Sequence, residues 1–184
     1  MGTKRLLSDG LSALLRDGAG VFIDGEPVDA LAHALQCASL ALAEGADDEL
    51  VVAAALHDIG YHPQVVARFP GLPHEAAGAA FAADLLGERI AWLIAQHVPA
   101  KRYLVATDAP YAASLSDASV RSLVKQGGPM SRGEVEAFER QPGSRDAARL
   151  RRWDDAAKVP GAATCTLAEL RVVFDRVLAA SKPA

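Results

Sequence analysis

Six consecutive apolar residues at positions 51–56, Val-Val-Ala-Ala-Ala-Leu, run straight into His57 and Asp58. A helix carrying that run is apolar on nearly every face, so other helices have to surround it. An ionised aspartate delivered into such a core costs several kcal/mol unless a positive charge compensates it. The chain must therefore both enclose residues 51–56 and supply Asp58 with a cation.

Elsewhere apolar residues recur at three- and four-residue intervals and alternating β-branched runs are scarce, which predicts an all-α chain. Helices are expected over residues 4–16, ended by Asp17-Gly18-Ala19-Gly20; over 28–44, stopped by Gly45; and over 47–60. Residues 21–27 and 61–73 read as loops, and further helices fit 74–86 and 88 to about 97. Two later helices begin at the capping boxes Ser131-x-x-Glu134 and Thr166-x-x-Glu169. Gly127-Gly128-Pro129 reads as a turn and residues 181–184 as a frayed end. The 184 residues are 51% hydrophobic and carry no repeat or linker, so one domain over residues 1–184 is expected.

The formal charge of -4 and the lack of a long Lys/Arg run argue against a nucleic-acid partner and for a small molecule. No apolar stretch approaches the ~20 residues that span a bilayer, and Met1-Gly2-Thr3-Lys4-Arg5 leads into a helical pattern, so no membrane partner and a cytoplasmic setting are expected. Cys37 and Cys165 have no metal-knuckle spacing, which leaves them a packing role in a reducing compartment.

Four of the five histidines form a series, His33, His57, His74 and His97, and Asp154 follows late in the chain. Any one of them amid Ala, Leu and Val is ordinarily a core residue with a hydrogen-bonded ring. Their joint occurrence with Asp58 makes a donor set. Leu31, Ala34 and Leu35 place His33 on an inward helix face. Imidazole and carboxylate without thiolate suit iron, manganese or zinc. Adjacent helix positions point about 100° apart, so His57 and Asp58 can approach one metal from two sides, or Asp58 can bridge two.

His33, His57-Asp58 and Asp154 resemble the H…HD…D signature of the HD-domain superfamily, founded on metal-dependent phosphohydrolases; His74 and His97 mark its dinuclear branch. More narrowly, His33-Ala34-Leu35-Gln36-Cys37-Ala38, Gly45-Ala46-Asp47, the stretch from His97 through Lys101-Arg102-Tyr103-Leu104 to Val105, Leu115-Ser116-Asp117-Ala118-Ser119, Gln126-Gly127-Gly128-Pro129-Met130 and Arg152-Trp153-Asp154 resemble the PhnZ-type diiron oxygenases. The likeness runs from about residue 24 to 161, the expected metal-binding core. It implies an HD-domain helical bundle with two iron ions, Fe(II)/Fe(III). One iron would take His33, His57, Asp58 and Asp154, the other His74, His97 and the bridging Asp58. It also implies that substrate binds before dioxygen and that oxygenation of the hydroxyl-bearing carbon breaks the C–P bond of 2-amino-1-hydroxyethylphosphonate to glycine and phosphate.

A phosphonate carries up to two negative charges and needs cations or hydroxyls around it. Lys101, four residues after His97, and Arg151, three before Asp154, share a face with those ligands if each helix continues; without the ligands they would read as solvated charges. The resemblance implies that both hold the phosphonate, that Ser119 touches it, and that Glu26 takes the substrate amine. The catalytic candidates are accordingly Asp58, Lys101 and Glu26. Ser116-Asp117-Ala118-Ser119 equally suits a helix cap.

Two positions depart from the family. Ile23 stands where it has a tyrosine that occupies the open iron position until substrate displaces it. Tyr61-His62 stands where a histidine directly follows His-Asp-x-Gly; either residue would line the pocket as a substrate contact, or His62, beside Pro63, would be merely exposed. The expectation is a diiron oxygenase with a small phosphonate and dioxygen as partners, its amine free or N-methylated, working as a monomer or weak homodimer. One alternative is an HD phosphohydrolase acting on a nucleotide or small phosphate ester, against which the 5% aromatic content offers few base-stacking side chains. Another is a non-catalytic metal- or ligand-binding HD module, which Ile23 favours.

Overall fold

The structure, a computed structural model, describes residues 2–23 and 25–180; Asp24 and the end expected to fray, residues 181–184, lie outside it. In chain order the helices are α1 (Gly2–Asp17), α2 (Ala30–Ala43), α3 (Asp48–Leu56), α4 (Pro63–Arg68), α5 (His74–Leu86), α6 (Glu88–Thr107), α7 (Ala109–Ser114), α8 (Asp117–Lys125), α9 (Arg132–Glu139), α10 (Ser144–Ala156) and α11 (Leu167–Ala180). Among the described residues there is no strand, only an isolated bridge between Phe22 and Asp29, and the chain is an all-α bundle.

The apolar run sits where its composition demands. Each of residues 50–56 is at most 3% exposed, with α2, α6, α10 and α11 packed around α3. α5 lies along α6, and α1 closes the bundle over α11. Side chains set the helix starts by accepting otherwise unpaired backbone N–H groups: Asp29 for α2, Asp47 for α3, Asp108 for α7 and Ser116 for α8. Both expected capping boxes form, Ser131 with Glu134 and Thr166 with Glu169.

Three differences from the expected pattern matter for the site. The helix expected over 47–60 ends at Leu56; His57 caps it, and Asp58, at φ -96° and ψ 7°, turns the chain into a short 3-10 turn, Ile59–Tyr61. Gly60 permits that turn, because a Cβ there would lie 1.8 Å from the His74 carbonyl oxygen. The expected loop over 61–73 contains α4, with Pro63 in its first turn, where a missing N–H costs nothing. Most consequential, α6 passes through Pro99 and runs to Thr107, because Ala100, Lys101 and Leu104 continue its buried face. No clear sequence pattern announced α7 or α10, whereas the cap read at Ser116-Asp117-Ala118-Ser119 does start α8. α10 is dense in charge, and only Ala147, Leu150 and Trp153 trace its apolar stripe.

Candidate metal centre and anion pocket

All six expected donors converge. His33 comes from α2, His57 and Asp58 from the end of α3, His74 from the start of α5, His97 from mid-α6 and Asp154 from α10. The imidazoles form two pairs, with Nε2 of His33 3.3 Å from Nε2 of His57, and Nε2 of His74 3.0 Å from Nε2 of His97. Asp58 lies between them. Its Oδ2 is 3.8 Å from His33 and 3.5 Å from His57, while its Oδ1 is 3.6 Å from His74 and 3.8 Å from His97. Asp154 completes the first group, Oδ1 3.4 Å from His33 and Oδ2 3.5 Å from His57.

The far sides of the rings fix their tautomers. Nδ1–H of His33 donates to Ala157 O (2.8 Å), that of His57 to Ala54 O (2.9 Å) and that of His97 to Ile94 O (2.7 Å). A neutral imidazole that donates through Nδ1 presents a lone pair at Nε2. Lone pairs facing each other at these distances repel unless a cation lies between them, and carbonyl-oriented imidazoles are the usual support of metal ligands. The donor set thus fits two cations, with Asp58 offering one oxygen to each. Protein groups alone leave it electrostatically uneven. Without a metal, a proton takes the cation's place between His33 and His57: burial opposes charge on His57, but Asp58 and Asp154 push its pKa up to about 9, whereas burial and neighbouring His57 push His97 down to about 3. Cys37, expected only to pack, is buried with Sγ 3.7 Å from His33 Nε2.

Beside the donors opens a pocket of about 70 Å³. Lys101 lies one turn beyond His97, is 1% exposed, and donates to Ser122 Oγ (2.7 Å). Burial, then Arg151, lowers its pKa to about 8. Arg151, 4% exposed, pairs through Nη1 with Asp154 Oδ2 (2.7 Å) and through Nε with Asp155 Oδ2 (2.8 Å). Burial would raise Asp154, but the Arg151 guanidinium and His57 hold it well below the carboxylate range. Ser119 Oγ donates to Asp155 Oδ1 (2.9 Å) while its N–H meets the Ser116 cap, so Ser119 both lines the pocket and stands at a helix start.

Glu26 also lines the pocket, but Lys158 Nζ donates to it at 2.8 Å. Ile23 forms wall there, and Tyr61 stacks on His74 with centroids 4.2 Å apart. His62, expected as a substrate contact, turns away from this pocket: its Nδ1 accepts the Gln64 N–H to cap α4, and Nε2 lies 3.6 Å from Asp17. Reasoning from sequence missed Lys158, Asp155, Ser122 and Gln126. Asp155 sits four residues from Arg151 and Ser122 three from Ser119, but such spacings carry a signal only once the helix is known. Gln126 lines the pocket with Oε1 buried and lacking a hydrogen-bond partner.

The HD domain family matches residues 30–126. The chain is 43% identical over 157 residues, covering 82% of it and 78% of the relative, to a hydroxymethylphosphonate dioxygenase of Gimesia maris. It is 40% identical over 139 residues, covering 73% and 71%, to a glycine-betaine-forming [1-hydroxy-2-(trimethylamino)ethyl]phosphonate dioxygenase of Leisingera caerulea. The donor set, the cation-lined pocket beside it and these likenesses agree, and the chain belongs to the HD-domain family, in its PhnZ-type branch.

Proposed function

We propose that this chain is an oxygenase that uses dioxygen to cleave the C–P bond of a 1-hydroxyphosphonate, giving a carboxylate and phosphate. One observation carries the reading: a single carboxylate, Asp58, faces two imidazole pairs with its two oxygens at the floor of a pocket walled by Lys101, Arg151 and Lys158. The net change, R–CH(OH)–PO3H2 plus O2 to R–COOH plus H3PO4, keeps both oxygen atoms in the products.

The proposed cofactor is a pair of irons, Fe(II)/Fe(III). His33, His57, Asp58 and Asp154 would hold one, and His74, His97 and Asp58 the other. Such a pair would supply the electrons that activate dioxygen and a Lewis-acidic position for the substrate hydroxyl. The remaining work falls to the chain. Lys101 and Lys158 bring charge to the phosphonate oxygens, and Arg151, locked by Asp154 and Asp155, adds a fixed guanidinium. Gln126 offers its buried amide oxygen to a hydroxyl or ammonium of the substrate. Glu26 faces the remainder of the substrate, where Lys158 partly neutralises it and Ile23 adds hydrocarbon. The substituent on the carbinol carbon is therefore hydrogen or a short aminated group, amino or N-methylated.

The deciding experiment incubates iron-loaded protein with hydroxymethylphosphonate and with 2-amino-1-hydroxyethylphosphonate, measuring oxygen uptake and phosphate. One O2 consumed per phosphate, and none released anaerobically, is the expected result. Anaerobic phosphate release at an equal rate overturns the oxygenase reading in favour of hydrolysis. The setting proposed is cytoplasmic, with the chain a monomer or weak homodimer, which fractionation and gel filtration check; among the described residues no helix is long and apolar enough to cross a membrane.

A further inference from the structure

A second cavity, about 90 Å³, borders the donor set as well, and shares His33 and Asp58 with the first. Leu14, Leu15, Val21, Ala34, Ala55 and Ile59 wall it, and it reaches His33, His57 and Asp58. Ile23, Ala30 and Tyr61 line both cavities, which therefore adjoin there. The two spaces differ in chemistry. The pocket on the α8–α10 side carries three cationic side chains, two serines and a glutamine. Apart from the donors themselves, the second cavity offers mainly hydrocarbon, with its polar side chains Asp17 and His62 lying near each other at 3.6 Å. Asp17, with a side chain 58% exposed, and Val21, 50% exposed, mark its outer end.

Resting on the oxygenase reading, we propose that this apolar cavity is the binding site and route for dioxygen. Lys101, Arg151 and Lys158 suit the first pocket to a phosphonate dianion, whereas an uncharged diatomic gas gains nothing from a wall of cations. The second cavity has its own outer end, at Asp17 and Val21, and reaches the same aspartate, Asp58. Hydrocarbon walls of this kind bind nonpolar gases such as xenon, and a volume of about 90 Å³ is ample for a diatomic molecule. Dioxygen would thus reach the metal pair along hydrocarbon and the phosphonate along cations, with Ile23 bordering both spaces.

Two measurements test this. Metal-loaded crystals pressurised with xenon should show the atom between Leu14, Ala34, Ala55 and Ile59, a readout that needs no turnover. Leu14→Trp and Val21→Trp, at positions that are half-buried and exposed, should fold, as melting checks, and raise the KM for dioxygen severalfold. The KM for phosphonate and the metal content should not change. Normal turnover without xenon in the cavity, an unchanged KM for dioxygen in both folded variants, or a rise in the phosphonate KM instead would sink the route alone. Absence of oxygen uptake with every phosphonate tried would sink the oxygenase reading, and the route with it.

Discussion

Lys101 shows how a single side chain takes its character from its place. On a surface helix it would be a solvated ammonium; buried one turn past His97, it has a pKa near 8 and one short hydrogen bond, to Ser122. Its cationic form is the one that attracts a phosphonate, so kcat/KM should fall as pH rises through about 8. In Lys101→Ala that inflection should disappear and the phosphonate KM should rise about 10- to 150-fold, the worth of about 1.5–3 kcal/mol for a charge-assisted bond, with metal content unchanged. A pH-rate profile of both proteins checks it. Ile23 is informative through what it lacks. Because it lines the pocket shared by His74 and Asp58, Ile23→Tyr should place a phenolate within reach of the ferric ion and give the oxidised protein a visible charge-transfer band, read by absorption spectroscopy. A colourless variant with full iron content would mean that residue 23 does not face the open position.

At the scale of elements, the junction after α3 decides the geometry. Asp58 addresses both imidazole pairs because the helix ends before it, and the following 3-10 turn is pressed against the start of α5 through Gly60. Gly60→Ala should force the turn off the His74 backbone, costing about 1–3 kcal/mol by overpacking and lowering Tm by roughly 2–12 °C. Gly133→Ala, with open space around the added methyl, should leave Tm unchanged or slightly higher in the same calorimetric scan. Glycine sterics also mark the limit of what the sequence reveals. The central helix and its start were legible, and the six side chains that converge could be picked out as candidate donors, since apolar run and residue type are local signals. The end of α3 at Leu56 was not, because only the approach of His74 requires it. Nor was the extension of α6 beyond His97: Pro99 is a local stop signal, overridden by burial of Ala100, Lys101 and Leu104 in contacts distant in sequence. Lys158 was missed for a similar reason, since it lies past the end of α10 and only folding brings it to Glu26.

Across the whole molecule, the donors tie α2, α3, α5, α6 and α10 together, so cation binding and stability are linked. Chelation should lower Tm by roughly 5–10 °C for a site previously held near 100 times its Kd, about 2.7 kcal/mol, and Fe(II) should restore it. Asp58→Ala should show the low Tm from the outset, bind fewer than one metal per chain by elemental analysis, and not respond to added iron. Asp154 and the Ala157 carbonyl that orients His33 both belong to the last third of the chain. A ribosome that has already released all four imidazoles has therefore not yet made the groups that close the first ligand set. Metal loading should wait for α10 to emerge, and a nascent chain truncated at residue 150 should leave the exit tunnel unable to retain the metal.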